Sequence, residues 1–117
     1  MRVLLVDDNE ELRDFLAATL DENSVDVVAA GGMEEALRIA NEDRFDGFIV
    51  DSSLGEADGV ALVEQLRATK NGRGLPAILM SSISTALARR IAQSANCQFL
   101  AKPFGLTQFV ELVRALR

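Results

Sequence analysis

Residues 2–20 read RVLLVDDNEELRDFLAATL. Four apolar residues in a row, Val3 to Val6, have the length and branched composition of a strand buried on both faces. Asp7 and Asp8 end that run. Leu12, Phe15, Leu16, Thr19 and Leu20 then recur at the spacing of one helix face. A strand running into an amphipathic helix is one βα unit, and the same pair recurs along the chain. Further short apolar runs span Val25 to Ala29, Phe48 to Val50, Ala77 to Met80 and Cys97 to Leu100. Between and after them lie helical stripes: Met33, Ala36, Leu37 and Ala40; Val60, Val63, Leu66 and Arg67; Leu87, Ile91 and Ala95; and Leu106, Phe109, Val110, Val113 and Leu116. Gly31-Gly32, Asp58-Gly59, the Asn71 to Gly74 stretch and Pro76 mark the junctions. Buried strands separated by helices imply a parallel sheet covered on both faces, and right-handed crossovers make it a doubly wound α/β sandwich of five strands. Residues 1–117 are expected to form one domain.

Composition narrows the function. The chain has 117 residues, 49% of them hydrophobic and 26% charged, which suits a globular domain with a single core. Eighteen acids against twelve bases give a net charge of -6, so no phosphate-neutralising surface is evident and direct nucleic-acid contact is not expected. There is no histidine, which excludes Ser-His-Asp and Cys-His catalysis and histidine metal ligands. Cys97 is the only cysteine, so no internal disulfide can form; it reads as a small buried hydrophobe in a reducing, cytoplasmic setting. No apolar run approaches the length of a membrane span, and no signal peptide is expected. Neither GxGxxG nor GxxxxGK[ST] occurs, so the glycines suggest turns and no nucleotide cradle.

In a doubly wound sheet, ligands bind beyond the carboxyl ends of the strands, near the point where strand order reverses. The residues that follow the apolar runs are therefore the candidates: Asp7 and Asp8, Asp51, Ser81 and Ser82, and Lys102. Clustered carboxylates repel one another unless a cation joins them, and an all-oxygen set suits a hard ion such as Mg²⁺. Beside such an ion Asp51 could act as a nucleophile toward a phosphoryl donor, with Lys102 and the Ser81 hydroxyl supplying charge and hydrogen bonding.

VLLVDDNE, IVDSSLGEADG, PAILMSS and FLAKPF, in that order, resemble the receiver domain of two-component response regulators over essentially the whole chain. The resemblance implies a flavodoxin-like (βα)5 fold with strand order 2-1-3-4-5. It implies that Asp51 accepts a phosphoryl group from a histidine kinase or histidine phosphotransfer protein. Asp7, Asp8 and Asp51, with the backbone carbonyl of Ser53, would hold Mg²⁺. Ser81 would bond a phosphoryl oxygen, Lys102 would be the site lysine before a cis Pro103, and Phe99 the aromatic switch whose rotation accompanies the hydroxyl's shift. The protein is then a signalling switch, catalysing only its own phosphorylation and dephosphorylation. Its output is a reshaped surface on the fourth helix, fifth strand and fifth helix, presented to an output domain or effector. Arg89, Arg90, Gln93 and Gln108, with Glu111 and Arg114 nearby, are candidates for that surface, and homodimerisation through it is left open.

Departures from the family pattern carry expectations of their own. Leu54-Gly55 replaces the frequent Met-Pro and should loosen the loop after the acceptor, and Ser82 replaces a smaller residue. Ile83, with Ser53, stands where the family tunes phosphoryl hydrolysis; having no hydrogen-bonding group, it is expected to hinder the attacking water. Phe99 lacks a hydroxyl, so packing alone is expected to set its two states. Two other readings stay open. One is a small Mg²⁺-dependent aspartyl phosphatase, although Ser53 stands where its second acid belongs. The other is a docking module independent of phosphorylation, against which the intact acid set argues.

Overall fold

The computed structural model describes residues 1–52, the backbone of 56 and 57, and residues 58–116. Its elements are β1 (Arg2–Val6), α1 (Glu10–Glu22), β2 (Asp26–Ala30), α2 (Met33–Glu42), β3 (Gly47–Asp51), α3 (Glu56–Arg67), β4 (Ala77–Ser81), α4 (Ala86–Ser94), β5 (Cys97–Ala101) and α5 (Leu106–Arg114). The strands form one parallel sheet in the order β2-β1-β3-β4-β5, as expected. None of the described helices is long and apolar enough to cross a membrane.

Alternation along the inner strands divides the core into two layers. Val3, Leu5, Ile49, Ile78, Met80 and Leu100 face α1 and α5, where Leu16, Leu20, Phe109 and Val113 meet them. Leu4, Val6, Phe48, Val50 and Leu79 face the other way, against α2, α3 and α4, through Ala36, Ala40, Leu62, Val63, Leu66 and Ala92. The outer strands are less buried: β2 starts at exposed Asp26, and β5 carries exposed Gln98 and half-buried Phe99. Cys97 is buried, and desolvation pushes its thiol pKa up, as befits a small hydrophobe.

Several sequence expectations need correction here: Asp58-Gly59, expected at a junction, lies inside α3, and Phe15, Met33 and Leu106, expected on helix stripes facing the core, are exposed. On α4 the buried face is Ala88 and Ala92, one residue on from the expected Leu87, Ile91 and Ala95 stripe, and Leu87 is 65% exposed. Small alanines let the helix approach the sheet closely, and the larger side chains stay on its outer side. Arg67, placed on the apolar stripe of α3, instead donates to the carbonyls of Leu75, Ala95 and Asn96, tying the end of α3 to the entries of β4 and β5.

The helix starts explain why the acids after β1 are available for other work. Asn9 caps α1, its Oδ1 accepting from the Leu12 N–H at 3.1 Å, while Glu10 and Glu11 complement the dipole in the first turn. Asp7 and Asp8 are therefore not the helix cap. Strand order reverses between β1 and β3, so the crevice that this topology offers a ligand opens where Asp7 and Asp51 end their strands.

Candidate functional site

Parallel strands in register bring their ends to one rim. β1 and β3 pair from Val3 with Gly47 to Val6 with Val50, so the next residues, Asp7 and Asp51, stand side by side. β4 pairs with β3 as Met80 with Asp51, and β5 pairs with β4 as Ser81 with Ala101, which places Lys102 just beyond. All the acids and the lysine expected at the site thus meet at one edge. Asp7, Asp8 and Asp51 each offer a carboxylate oxygen, and these oxygens lie within 4.8 Å of one another. The lysine crosses to the same point: Lys102 Nζ lies 2.5 Å from Asp51 Oδ1.

The side chains differ sharply in setting. Asp7 is buried and Asp8 exposed, while the Asp51 carboxylate, although 3% exposed, is paired with the lysine. Asp7 Oδ1 accepts from the Asn9 N–H at 2.9 Å, but Oδ2 has no hydrogen-bond partner among the described residues. Burial is the first cause that raises the Asp7 pKa, the Asn9 N–H opposes it, and the neighbouring charge of Asp51 adds to it; Lys102 and Asp8 contribute less, in opposite directions. A desolvated carboxylate oxygen without a donor, facing two more carboxylates, is a set of hard oxygen ligands with charge to spare, and a divalent cation such as Mg²⁺ fits it.

Ser81 is buried at the end of β4, where its hydroxyl donates to the Ile83 carbonyl at 3.1 Å and accepts the Ile83 N–H at 3.0 Å. Ile83 itself is half exposed, with its side chain open to solvent. Lys102-Pro103 is a cis peptide, as the resemblance implied. Ser53 and the Leu54-Gly55 pair lie outside the described residues.

Phe99 requires a correction. Its half-buried ring packs against the α2, α3 and α4 layer, and the Arg89 guanidinium of α4 stands over it at 4.7 Å, so a cation–π contact as well as packing holds this rotamer. Of the expected output-surface residues, Arg89, Arg90, Gln93 and Gln108 are exposed. Arg114 belongs elsewhere: it donates to the Asn23 carbonyl at 2.6 Å and, with Glu111, lines a groove between α1 and α5.

Three site neighbours were not anticipated. Asn9 both caps α1 and supplies the N–H on Asp7; an Asn ahead of two glutamates was a readable cap signal. Ser52 fastens the residue after the acceptor candidate, since its N–H and its hydroxyl both donate to the Met80 carbonyl, at 2.8 and 2.9 Å. Gly59 lets α3 close on it, because a Cβ there would fall 2.9 Å from Ser52 Cβ and 2.6 Å from Leu79 Cδ1. The contacts of Ser52 with Met80 and of Gly59 with Leu79 join residues far apart in sequence and leave no local pattern.

Comparison with known proteins agrees with this arrangement. Residues 3–114 match the family model described as the response regulator receiver domain. The response regulator MprA of Mycobacterium leprae is 32% identical over 117 residues, covering 99% of this chain and 50% of that protein. The chain thus spans about half the length of the curated relatives it matches. Among solved structures, the Vibrio cholerae chemotaxis protein CheY4 superposes with a TM-score of 0.89 at 23% identity, over 99% of this chain and 98% of that one. The receiver domain of the Pseudomonas aeruginosa sensor histidine kinase PA1611, solved with a magnesium ion coordinated in its active-site cleft, gives a TM-score of 0.79 at 25% identity, over 97% and 93%. The chain belongs to the response regulator receiver family, whose general function is a phosphorylation-based switch.

The raised pKa of Asp7 fixes the sign of a pH effect. Folding binds the Asp7 proton more tightly than the unfolded chain does, so this group makes stability fall as pH rises from the unfolded to the folded pKa, and its cost is full above the latter. Asp7→Asn should therefore stabilise the metal-free protein at neutral pH. The parent should instead gain about 1.4 kcal/mol from Mg²⁺ at ten times its dissociation constant, an increment that Asp7→Asn loses. Urea unfolding with and without Mg²⁺ measures both.

Proposed function

We propose that this receiver domain accepts a phosphoryl group on Asp51 from a histidine kinase or histidine phosphotransfer protein, and that the modified domain presents a changed α4, β5 and α5 surface to an output domain or effector. The observation that carries the reading is the Asp51 carboxylate, set at the end of β3 with an oxygen within 4.8 Å of those of Asp7 and Asp8 and paired with Lys102. An Asp51 oxygen forms the new bond to phosphorus as the bond from phosphorus to the donor nitrogen breaks, its electron pair staying with the donor ring. Asp7, Asp8 and Asp51, with the Ser53 carbonyl that the family resemblance adds, would hold Mg²⁺, which would supply positive charge against the phosphoryl oxygens. Lys102 already reaches Asp51 and needs only a small shift to meet the new dianion.

The switch follows from how many hydrogens Ser81 has to give. A hydroxyl donates once, and the Ser81 hydroxyl stands 3.1 Å from the Ile83 carbonyl as a donor to it. To bond a phosphoryl oxygen, Ser81 must release that carbonyl, which frees the turn leading to Thr85, the cap of α4. Movement there reaches Arg89 and, through it, Phe99. The size of the change equals the differential stabilisation of the two arrangements by the phosphoryl group. A cytoplasmic location belongs to this reading, and pairing of two copies through the same surface is compatible with it.

Intact mass spectrometry after incubation with acetyl phosphate and Mg²⁺ tests it. The parent should gain one phosphoryl group and Asp51→Asn none. Continuous release of phosphate from monoesters would favour a phosphatase, and no mass gain would favour a docking module. For the lifetime, we expect Ile83→Glu to lose its phosphoryl group severalfold faster than the parent, because a carboxylate replaces an apolar side chain near the path of the attacking water. An unchanged rate would remove Ile83 from that role.

A further inference from the structure

We propose that Arg13 is a positioning residue for the metal half of the site, acting through the main chain of Asp7, and that Gly31 lacks a side chain to give it room. The inference rests on the Mg²⁺ reading above and deepens it.

Every polar group of Asp7 but one is committed. Its N–H donates to the Ala30 carbonyl at 3.1 Å, which holds the exit of β1 to the end of β2. Its Oδ1 takes the Asn9 N–H at 2.9 Å. Its carbonyl takes the Arg13 guanidinium, with Nη1 at 3.1 Å. Only Oδ2 is left over, buried and without a hydrogen-bond partner among the described residues. Three restraints from three directions fix where that oxygen points. The charged donor is the one that ties the turn to the body of α1, and a charge-assisted bond to a carbonyl is the stronger kind. Outer contacts of this type orient a ligand without touching the ion.

Gly31 supplies the space. A Cβ built there would lie 2.8 Å from Arg13 Nη1 and 3.6 Å from Cζ, and it meets no other atom within 4 Å. Gly74 is the only described glycine with a left-handed φ, so the backbone does not demand glycine at 31. The guanidinium does. Because the colliding atom is the far end of a flexible side chain, alanine at 31 would push Arg13 aside and leave the main chain in place. Gly31→Ala is thus a second route to the loss that Arg13→Ala produces directly.

This makes a double-mutant cycle decisive. Calorimetric titration of the full chain with Mg²⁺ should give a dissociation constant about tenfold higher for Arg13→Ala, a comparable rise for Gly31→Ala, and no further rise when the two are combined. With acetyl phosphate, the Mg²⁺ needed for half-maximal phosphorylation should rise in both variants, and the acetyl phosphate needed should not. Thermal unfolding in a chelator should show Gly31→Ala folded like the parent, so this variant decides alone if Arg13→Ala fails to fold. Unchanged Mg²⁺ affinity in the variants, effects that multiply in the double variant, or a shift in the acetyl phosphate requirement would overturn the assignment. A parent chain that binds no Mg²⁺ would overturn the metal reading itself, and this inference with it.

Discussion

A carboxylate taken out of water with one oxygen unanswered is the constraint on which the rest of this structure turns. Asp7 is buried at the exit of the central strand β1, its pKa is raised by that burial, and Oδ2 has no hydrogen-bond partner among the described residues. An apolar residue there would suit a stable fold better, since desolvating a charge that lacks a full set of partners is among the costlier things a core can do. The acid is tolerable only beside something that repays the desolvation. The facing oxygens of Asp8 and Asp51 indicate a shared cation, and Lys102 already balances Asp51.

The sheet converts that local difficulty into a site. Reversal of strand order between β1 and β3 leaves a crevice where no crossover covers the strand ends, and the parallel register puts Asp7 beside Asp51. Neighbouring backbone groups hold the frame around them: Ser52 on the Met80 carbonyl, Asp7 on the Ala30 carbonyl, and Asn9 bridging cap and carboxylate. Ser81, whose hydroxyl meets the Ile83 carbonyl, and Phe99, covered by Arg89, lie to one side, on β4, α4 and β5, and in the proposed function these are the parts that move. An acidic half held by backbone contacts, beside a hydroxyl that can change partner, is what the proposed switch, triggered by an added dianion, needs.

Much of this was legible in the residues because strand ends are marked sharply. Apolar runs stop at Asp7, Asp51, Ser81 and Lys102, and a parallel sheet has only one rim on which such ends can gather. Periodicity was less dependable where residues are small. Leu87 and Ile91 formed a better-looking stripe on α4 than Ala88 and Ala92, yet the alanines are buried, because closeness to the sheet outweighs side-chain size there. Contacts made by long side chains across elements left no trace in spacing. Arg13 reaching the Asp7 carbonyl, Arg67 gathering three carbonyls and Arg89 over Phe99 all depend on how helices pack, which periodicity alone does not specify.

The claim that buried Asp7 exists to hold a cation with Asp8 and Asp51 can be put to diffraction directly. Crystals grown with Mn²⁺ in place of Mg²⁺ should show one anomalous peak bonded to Asp7 Oδ2 and to Asp51, with its remaining ligands all oxygen. A peak elsewhere on the protein, or none at saturating Mn²⁺ with the Asp7 carboxylate turned toward a protein donor, would contradict the account.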